Sequence, residues 1–317
     1  MNDKERDRCS DGAGPAAPDD GGPLIRQSHL AIYIFLIFSV ALMGRAVAQQ
    51  GSGLSLAIDA GMLRASDVHA NFYNGSEGNA NTINRVLHSQ AYGEEIWRNL
   101  KNAGQITDAI GDYRALTVVE YGDMHYKLAF NLDIGVRYEY NGGWAWLLRV
   151  DYARLNAVGG FNISRDNSTG IVSGTRYVTC DIAGQESRIA FDLGLSKRFY
   201  LRNGSYLGMD CGGRFNNTKV LGNDIRIAGA TYSILDVWGG ESPSAYSVPY
   251  EYMNQGGLGY GTFAMLAYGF AIPGTASAAI CYTLACEKIN LQGYASFAIQ
   301  HFFGLRFDLT GMIFFND

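Results

Sequence analysis

The chain has 317 residues, 47% of them apolar and 17% charged, with 40 Gly, 6 Pro and a formal net charge of −5. That is too apolar for a disordered chain and too rich in Gly for a coiled coil. A mean hydropathy of −0.05 excludes a bundle of membrane-spanning helices, each of which needs about 20 mostly apolar residues. A mildly acidic chain also lacks the Lys and Arg excess that neutralises phosphates, so no nucleic-acid partner is expected.

The first feature along the chain is an uncharged apolar run at residues 30 to 43, preceded by Arg26 and followed by Ala46-Val47-Ala48. A positive flank, a short apolar core and an Ala-x-Ala triplet are the parts of a secretory signal. Cleavage after Ala48 is expected, which divides the chain into a leader at 1–48 and one domain at 49–317; a retained N-terminal anchor is the alternative. Removing the leader takes Cys9 away and leaves Cys180, Cys211, Cys281 and Cys286. In an exported chain these either form disulfides, in three possible pairings, or stay free. No Cys or His cluster has zinc spacing, and neither a metal nor a cofactor is expected.

The domain reads as strands of period two. Leu54, Leu56, Ile58, Ala60 and Met62 share one face, with Asp59 on the other. From Tyr126 to Tyr140 eight large apolar residues, Tyr138 among them, alternate with Lys127, Asp133, Arg137 and Glu139. An Asn141-Gly142-Gly143 turn leads to Trp144, Trp146, Leu148, Val150 and Tyr152 opposite Arg149 and Asp151. Ile189 to Leu195 follow opposite Arg188 and Asp192, then Leu207 to Phe215 opposite Asp210 and Arg214. Leu258 to Ile272, a Pro273-Gly274-Thr275 turn and a weaker strand at 278 to 284 come next. The last strand, Phe303 to Phe315, sets Arg306 and Asp308 against its apolar face. That makes eight strands, or ten if residues 218–234 add a hairpin to the wall.

Two readings fit such strands: a soluble sheet with its apolar face on a core, or a membrane barrel with that face on lipid and the charged face in a lumen. The connections decide. Short turns at 141–143, 199–205 and 273–275 alternate with links of about 60, 30 and 40 residues, against a usual loop of 4 to 6. Short turns on one side and long loops on the other are the pattern of an outer-membrane barrel. Aromatics fall where the membrane interface belongs: Tyr138, Tyr140, Trp144 and Trp146 around one turn, Phe199 and Tyr200 at another, and Phe315 near the end.

In architecture, residues 54 to 315 resemble the small outer-membrane β-barrels of the OmpA/OmpX-like type. The segment Phe72-Tyr73-Asn74-Gly75-Ser76 followed by Asn81-Thr82-Ile83-Asn84 is similar to uncharacterised outer-membrane barrels of Gram-negative bacteria. The resemblance implies an all-β, antiparallel up-and-down barrel in the cell outer membrane, among lipid and lipopolysaccharide. It also implies periplasmic chaperones and the barrel-assembly machinery as partners during biogenesis.

The inward positions carry seven acids (Asp59, Asp133, Glu139, Asp151, Asp192, Asp210, Asp308) and six bases (Lys127, Arg137, Arg149, Arg188, Arg214, Arg306). Isolated buried charges are too costly to persist, so these must pair. Eight strands enclose just enough space for side chains to fill. A lumen plugged by ion pairs is therefore expected, with a narrow porin-like channel as the second reading. In the first long loop, residues 65–122, Asn81 is placed to cap a helix over Thr82 to Ala91 carrying Ile83, Val86 and Leu87 on one face. Ile96, Trp97 and Leu100 follow Gly93. Trp97, with Trp238, Tyr246, Tyr250 and Tyr252 of the third long loop, is a candidate surface for an extracellular ligand, since Tyr, Trp, Ser and Gly suit recognition; the same residues also serve to order long loops. No GxSxG, HExxH or acidic metal-loop motif is present. No catalytic residue is expected, and a lipid-modifying enzyme is the third reading.

Overall fold

The computed structural model describes residues 53–106, 112–164, 177–202, 204–235, 255–272 and 276–310. The leader, the Pro273-Gly274-Thr275 turn, Phe315, Trp238, Tyr246, Tyr250 and Tyr252 lie outside the described residues. In chain order the strands are β1 (Gly53–Arg64), β2 (Val118–Tyr121), β3 (His125–Tyr126), β4 (Ala129–Asn141), β5 (Trp144–Ser164) and β6 (Tyr177–Tyr200). They continue with β7 (Ser205–Ile227), β8 (Ala230–Ser233), β9 (Leu258–Ile272), β10 (Ala276–Ile289) and β11 (Ser296–Thr310).

Eight of these form a ring of antiparallel pairs: β1 with β4, then β5, β6, β7, β9, β10 and β11, which pairs back onto β1. The register shows how the ring closes. Starting at Leu54 and stepping across partners, the path runs Tyr138, Trp146, Leu195, Cys211, Ala264, Leu284 and His301, and regains β1 at Arg64, ten residues from its start. With a rise of about 3.3 Å per residue and a strand spacing of about 4.8 Å, that stagger tilts the strands by about 40° and sets a backbone radius of roughly 8 Å. Such a barrel has room for side chains and little else.

Among the described residues the wall has eight strands, not ten. Residues 218–227 prolong β7, and β8 folds back on its end. The turns on the short side follow local chemistry: Gly142 and Gly143 both take positive φ, 54° and 83°, as a two-residue hairpin turn that matches the strand twist requires.

β5, β6 and β7 have 21, 24 and 23 residues, where about 9–11 suffice to cross a bilayer. The sequence reading ended them early because their faces exchange chemistry part-way. In the lower half the outward residues are apolar, for example Leu193 at 56% exposed and Phe215 at 62%, while the inward ones are Arg149, Asp151, Asp192 and Arg214. Beyond Arg154, Ser187 and Asn217 the outward residues turn polar, and Leu155, Phe161, Ile163, Val178 and Ile182 point inward and are buried. On β7 an extra residue, Leu221, sits between the partners of Glu186 and Gln185, and that bulge carries Ile225 and Ile227 to the inside. The second long link thus shrinks from about 30 residues to the 12 between Ser164 and Tyr177.

A second slip corrects the β4 expectation. Asn131 pairs with Ala153, but Tyr126 pairs with Ala157, one residue out of step with that register. A one-residue slip exchanges faces. Tyr126, read as outward, is therefore buried, and Lys127, read as inward, is exposed.

The first long loop folds as a cap over these extensions. It contains a 3-10 turn at Ala70–Tyr73, helix α1 (Ile83–Leu87) and helix α2 (Gly93–Asn102). Helix α1 ends four residues earlier than expected and its N-cap is Thr82, not Asn81; the Asn81 side chain accepts instead from Gln255 at 2.9 Å. The apolar faces are as read: Ile83, Val86, Leu87, Ile96 and Leu100 are buried. They share one core with Phe72, Tyr73, Leu155, Phe161, Ile182 and Ile225.

Candidate functional site

Arg149 stands at the centre of the lumen, 1% exposed. Its guanidinium reaches Asp192 at 2.5 Å, Asp133 at 3.2 Å and Asp59 at 3.6 Å. These carboxylates come from three other strands, so one Arg ties β1, β4 and β6 to β5. Arg306 donates twice to Asp59, each at 2.8 Å, and once to Asp210 at 2.8 Å. Arg214 bridges Asp151 at 2.5 Å and Asp192 at 2.7 Å. Planar five-donor guanidinium groups suit such shared carboxylates.

Smaller groups lie above and below this layer. Arg137 pairs with Glu139 at 2.7 Å and donates to Ser196, and Arg198 pairs with Asp308 at 2.7 Å. Arg188 pairs with Glu186 at 2.5 Å. Of the thirteen charged residues read from the sequence, only Lys127 stands apart on the exposed surface. Sequence reasoning missed Glu186, Arg198 and Glu287, all buried. The signal was present, because Glu186 and Arg198 share the parity of Arg188 and Asp192 along β6.

Glu186, 0% exposed, also joins the cap to the barrel. Its Oε2 accepts from the Tyr73 hydroxyl at 2.6 Å and the Tyr126 hydroxyl at 3.0 Å. Gly184 makes room for this contact, since a Cβ there would run into the Tyr73 ring. Burial, then the Glu186 charge, pushes both phenols well above their usual range, so they remain donors.

His69 fastens the start of the cap to β11: its Nε2 lies 3.0 Å from the Ser296 carbonyl oxygen and 3.1 Å from the Ser296 hydroxyl. The carbonyl fixes Nε2 as the donor, so this pair cannot activate the hydroxyl as a His base would. Its Nδ1 has no hydrogen-bond partner and hence no orienting carboxylate. His88 contacts the Leu116 carbonyl oxygen instead. Among the described residues no three His, Cys, Asp or Glu side chains are grouped to hold a metal ion. Cys180, Cys211, Cys281 and Cys286, the cysteines among the described residues, are free thiols; burial lifts Cys180, on the β6 extension, to about 12.

On the outer face, Tyr140, Trp144, Trp146, Phe199 and Tyr200 are exposed at the turn end, with Tyr138 part-buried beside them. The Lys197 ammonium lies over the Trp144 ring, 4.9 Å from its centre. The apolar belt runs from Leu54 to Arg64 on β1 and from Phe199 to Ile189 on β6. Ten residues on a tilted strand span roughly 25 Å, the height of an outer-membrane apolar band. Trp97 lies on α2 under Lys101, whose ammonium is 5.1 Å from the ring centre.

Solved structures similar to this chain are small outer-membrane barrels. Neisserial surface protein A is 9% identical over 82% of this chain and 99% of its own, with a TM-score of 0.38. Ail, the attachment invasion locus protein of Yersinia pestis, in complex with the heparin analogue sucrose octasulfate, is 10% identical over 82% and 99%, with a TM-score of 0.33. A second structure of Ail is 9% identical over 82% and 100%, with a TM-score of 0.29. No family model and no curated protein matches the chain.

Proposed function

We propose that the chain is an integral outer-membrane barrel whose lumen is plugged by ion pairs and whose extracellular cap and loops serve a structural, adhesive or binding role. One observation carries this reading: the strands reverse their amphipathicity part-way up. A wall that is apolar outside over about 25 Å and polar outside above it suits a chain that leaves a lipid layer and continues into water. No helix among the described residues is long and apolar enough to cross a membrane; the strands do so.

The same geometry supports the plug. Arg149, Arg306 and Arg214, each bonded to two or more carboxylates, fill a lumen of roughly 8 Å backbone radius, and the cap core closes the upper end. Lipid and lipopolysaccharide would contact the belt, and a ligand would meet the cap and loops. The reading assigns no catalysis to the chain. The test is current through the refolded protein, residues 49–317, in a planar bilayer once heat-dependent gel mobility shows it folded. Silence is expected. A steady ohmic current would overturn the plug in favour of a narrow channel.

A further inference from the structure

Where the charged layer meets the cap, the lumen contains a cavity of about 30 Å³. Every residue lining it is buried. Its charged walls balance, with Asp133, Asp151 and Glu287 facing Arg149, Arg188 and Arg214. Five polar atoms of the lining make no hydrogen bond to another protein group: Asp133 Oδ1, Arg188 Nη1, Asn216 Oδ1, Thr283 Oγ and Gln300 Nε2. The residues that carry them are at most 4% exposed. Buried polar atoms in a folded protein are nearly always partnered, and five around one cavity mark an occupant.

We propose that this cavity is a binding site for water, holding about two molecules that bridge those five atoms. The chemistry excludes the other small occupants. A metal cation would find oxygen ligands in Asp133 and Asn216 but would face the N–H groups of Arg188 and Gln300. An anion would accept from those N–H groups and be repelled by the Asp133 oxygen. An apolar guest would leave all five unpaired. Only a neutral group that both donates and accepts satisfies the set, and the volume admits about two waters, at 10–15 Å³ each. The lumen is then a hydrated plug, in which water completes a network that side chains alone leave open.

This inference rests on the plugged-lumen reading, because an open pore would fill with bulk water. The experiment is a crystal structure of the refolded barrel at a resolution that shows ordered water, paired with NMR of water cross-peaks at the Gln300 side-chain amide. Density within hydrogen-bond distance of at least three of the five atoms, and a long-lived cross-peak at Gln300, are expected. Ala285 lines the cavity, and Ala285→Leu should fill it and abolish the cross-peak. If that variant does not fold, Ala190→Val, at a residue that lines the same cavity from β6, makes the same test. An empty cavity, the five atoms paired with one another, or a single ion at metal-ligand distances would each overturn the proposal. Fast-exchanging water at Gln300 together with bilayer current would instead show that the plug itself fails.

Discussion

Replacing Arg149 with Ala should destabilise the barrel by about 3–5 kcal/mol, the usual cost of breaking a buried ion pair and leaving its partner unpaired. The structure sets where that cost falls. Asp192 keeps Arg214 and Asp59 keeps Arg306, but Asp133 loses Arg149, the one cation within salt-bridge distance of it among the described residues. Asp133 is 3% exposed, so water cannot replace that cation fully. Adding Asp133→Asn to the Ala variant should therefore recover more than half of the loss. Urea unfolding in lipid vesicles, followed by tryptophan fluorescence and gel mobility, measures both variants. If Arg149→Ala lies within about 1 kcal/mol of the parent, a typical surface effect, the buried network does not hold the barrel together. If the double variant is no better than the single, the cost lies elsewhere than in Asp133.

Leu193→Arg, in the middle of the lipid-facing belt, should cost about 2–4 kcal/mol in the same assay, while Ser187→Arg, above the belt, should cost close to nothing; equal effects would refute the boundary placed at the amphipathic reversal. Tyr73→Phe removes a charge-assisted hydrogen bond worth about 1.5–3 kcal/mol, and should open residues 65–125 to protease or hydrogen exchange while leaving the β1 and β11 amides protected. His69 is held below its ordinary 6.5 first by burial and then by the Arg188 charge, with the Ser296 carbonyl and Glu186 pulling the other way. Its neutral form is the folded one, so its contribution is complete above pH 6.5 and declines as the pH falls below that value. Cap stability followed by Trp97 fluorescence should therefore drop on acidification in the parent and change less in His69→Gln. Cys180, buried and raised to about 12, should resist maleimide at pH 8 until the cap is unfolded.

Much of the wall was legible because its determinants are local. Period-two alternation places each side chain on one face whatever the rest of the chain does, so Asp59, Arg149, Asp192, Arg214 and Arg306 could be assigned inward from sequence alone. Turn chemistry at Asn141-Gly142-Gly143 fixed one reversal in the same way. The cap helices were legible as apolar stripes, although the end of α1 was not, because Thr82 and His88 terminate it with no side-chain cap at its start.

What the sequence could not decide depends on register. Tyr126 and Lys127 exchange faces through a one-residue slip between β3 and β4, and Leu221 does the same to β7; periodicity says that faces alternate but not where the count is broken. Glu186 lay in plain parity with Arg188, yet its role needed Tyr73, 113 residues away in sequence, to be brought against it past Gly184. Which face of β5 and β6 turns inward above Arg154 and Ser187 was also undetermined, because apolar residues mark the side away from water only once the neighbouring medium is known. Sequence by itself therefore determined the eight strands across the belt, their pairing of polar with apolar faces and most of the charges available to the lumen. Closure with a ten-residue stagger, the partners within the charge network and the cap seated above it were decided by tertiary structure, since each depends on which distant residue the register brings opposite.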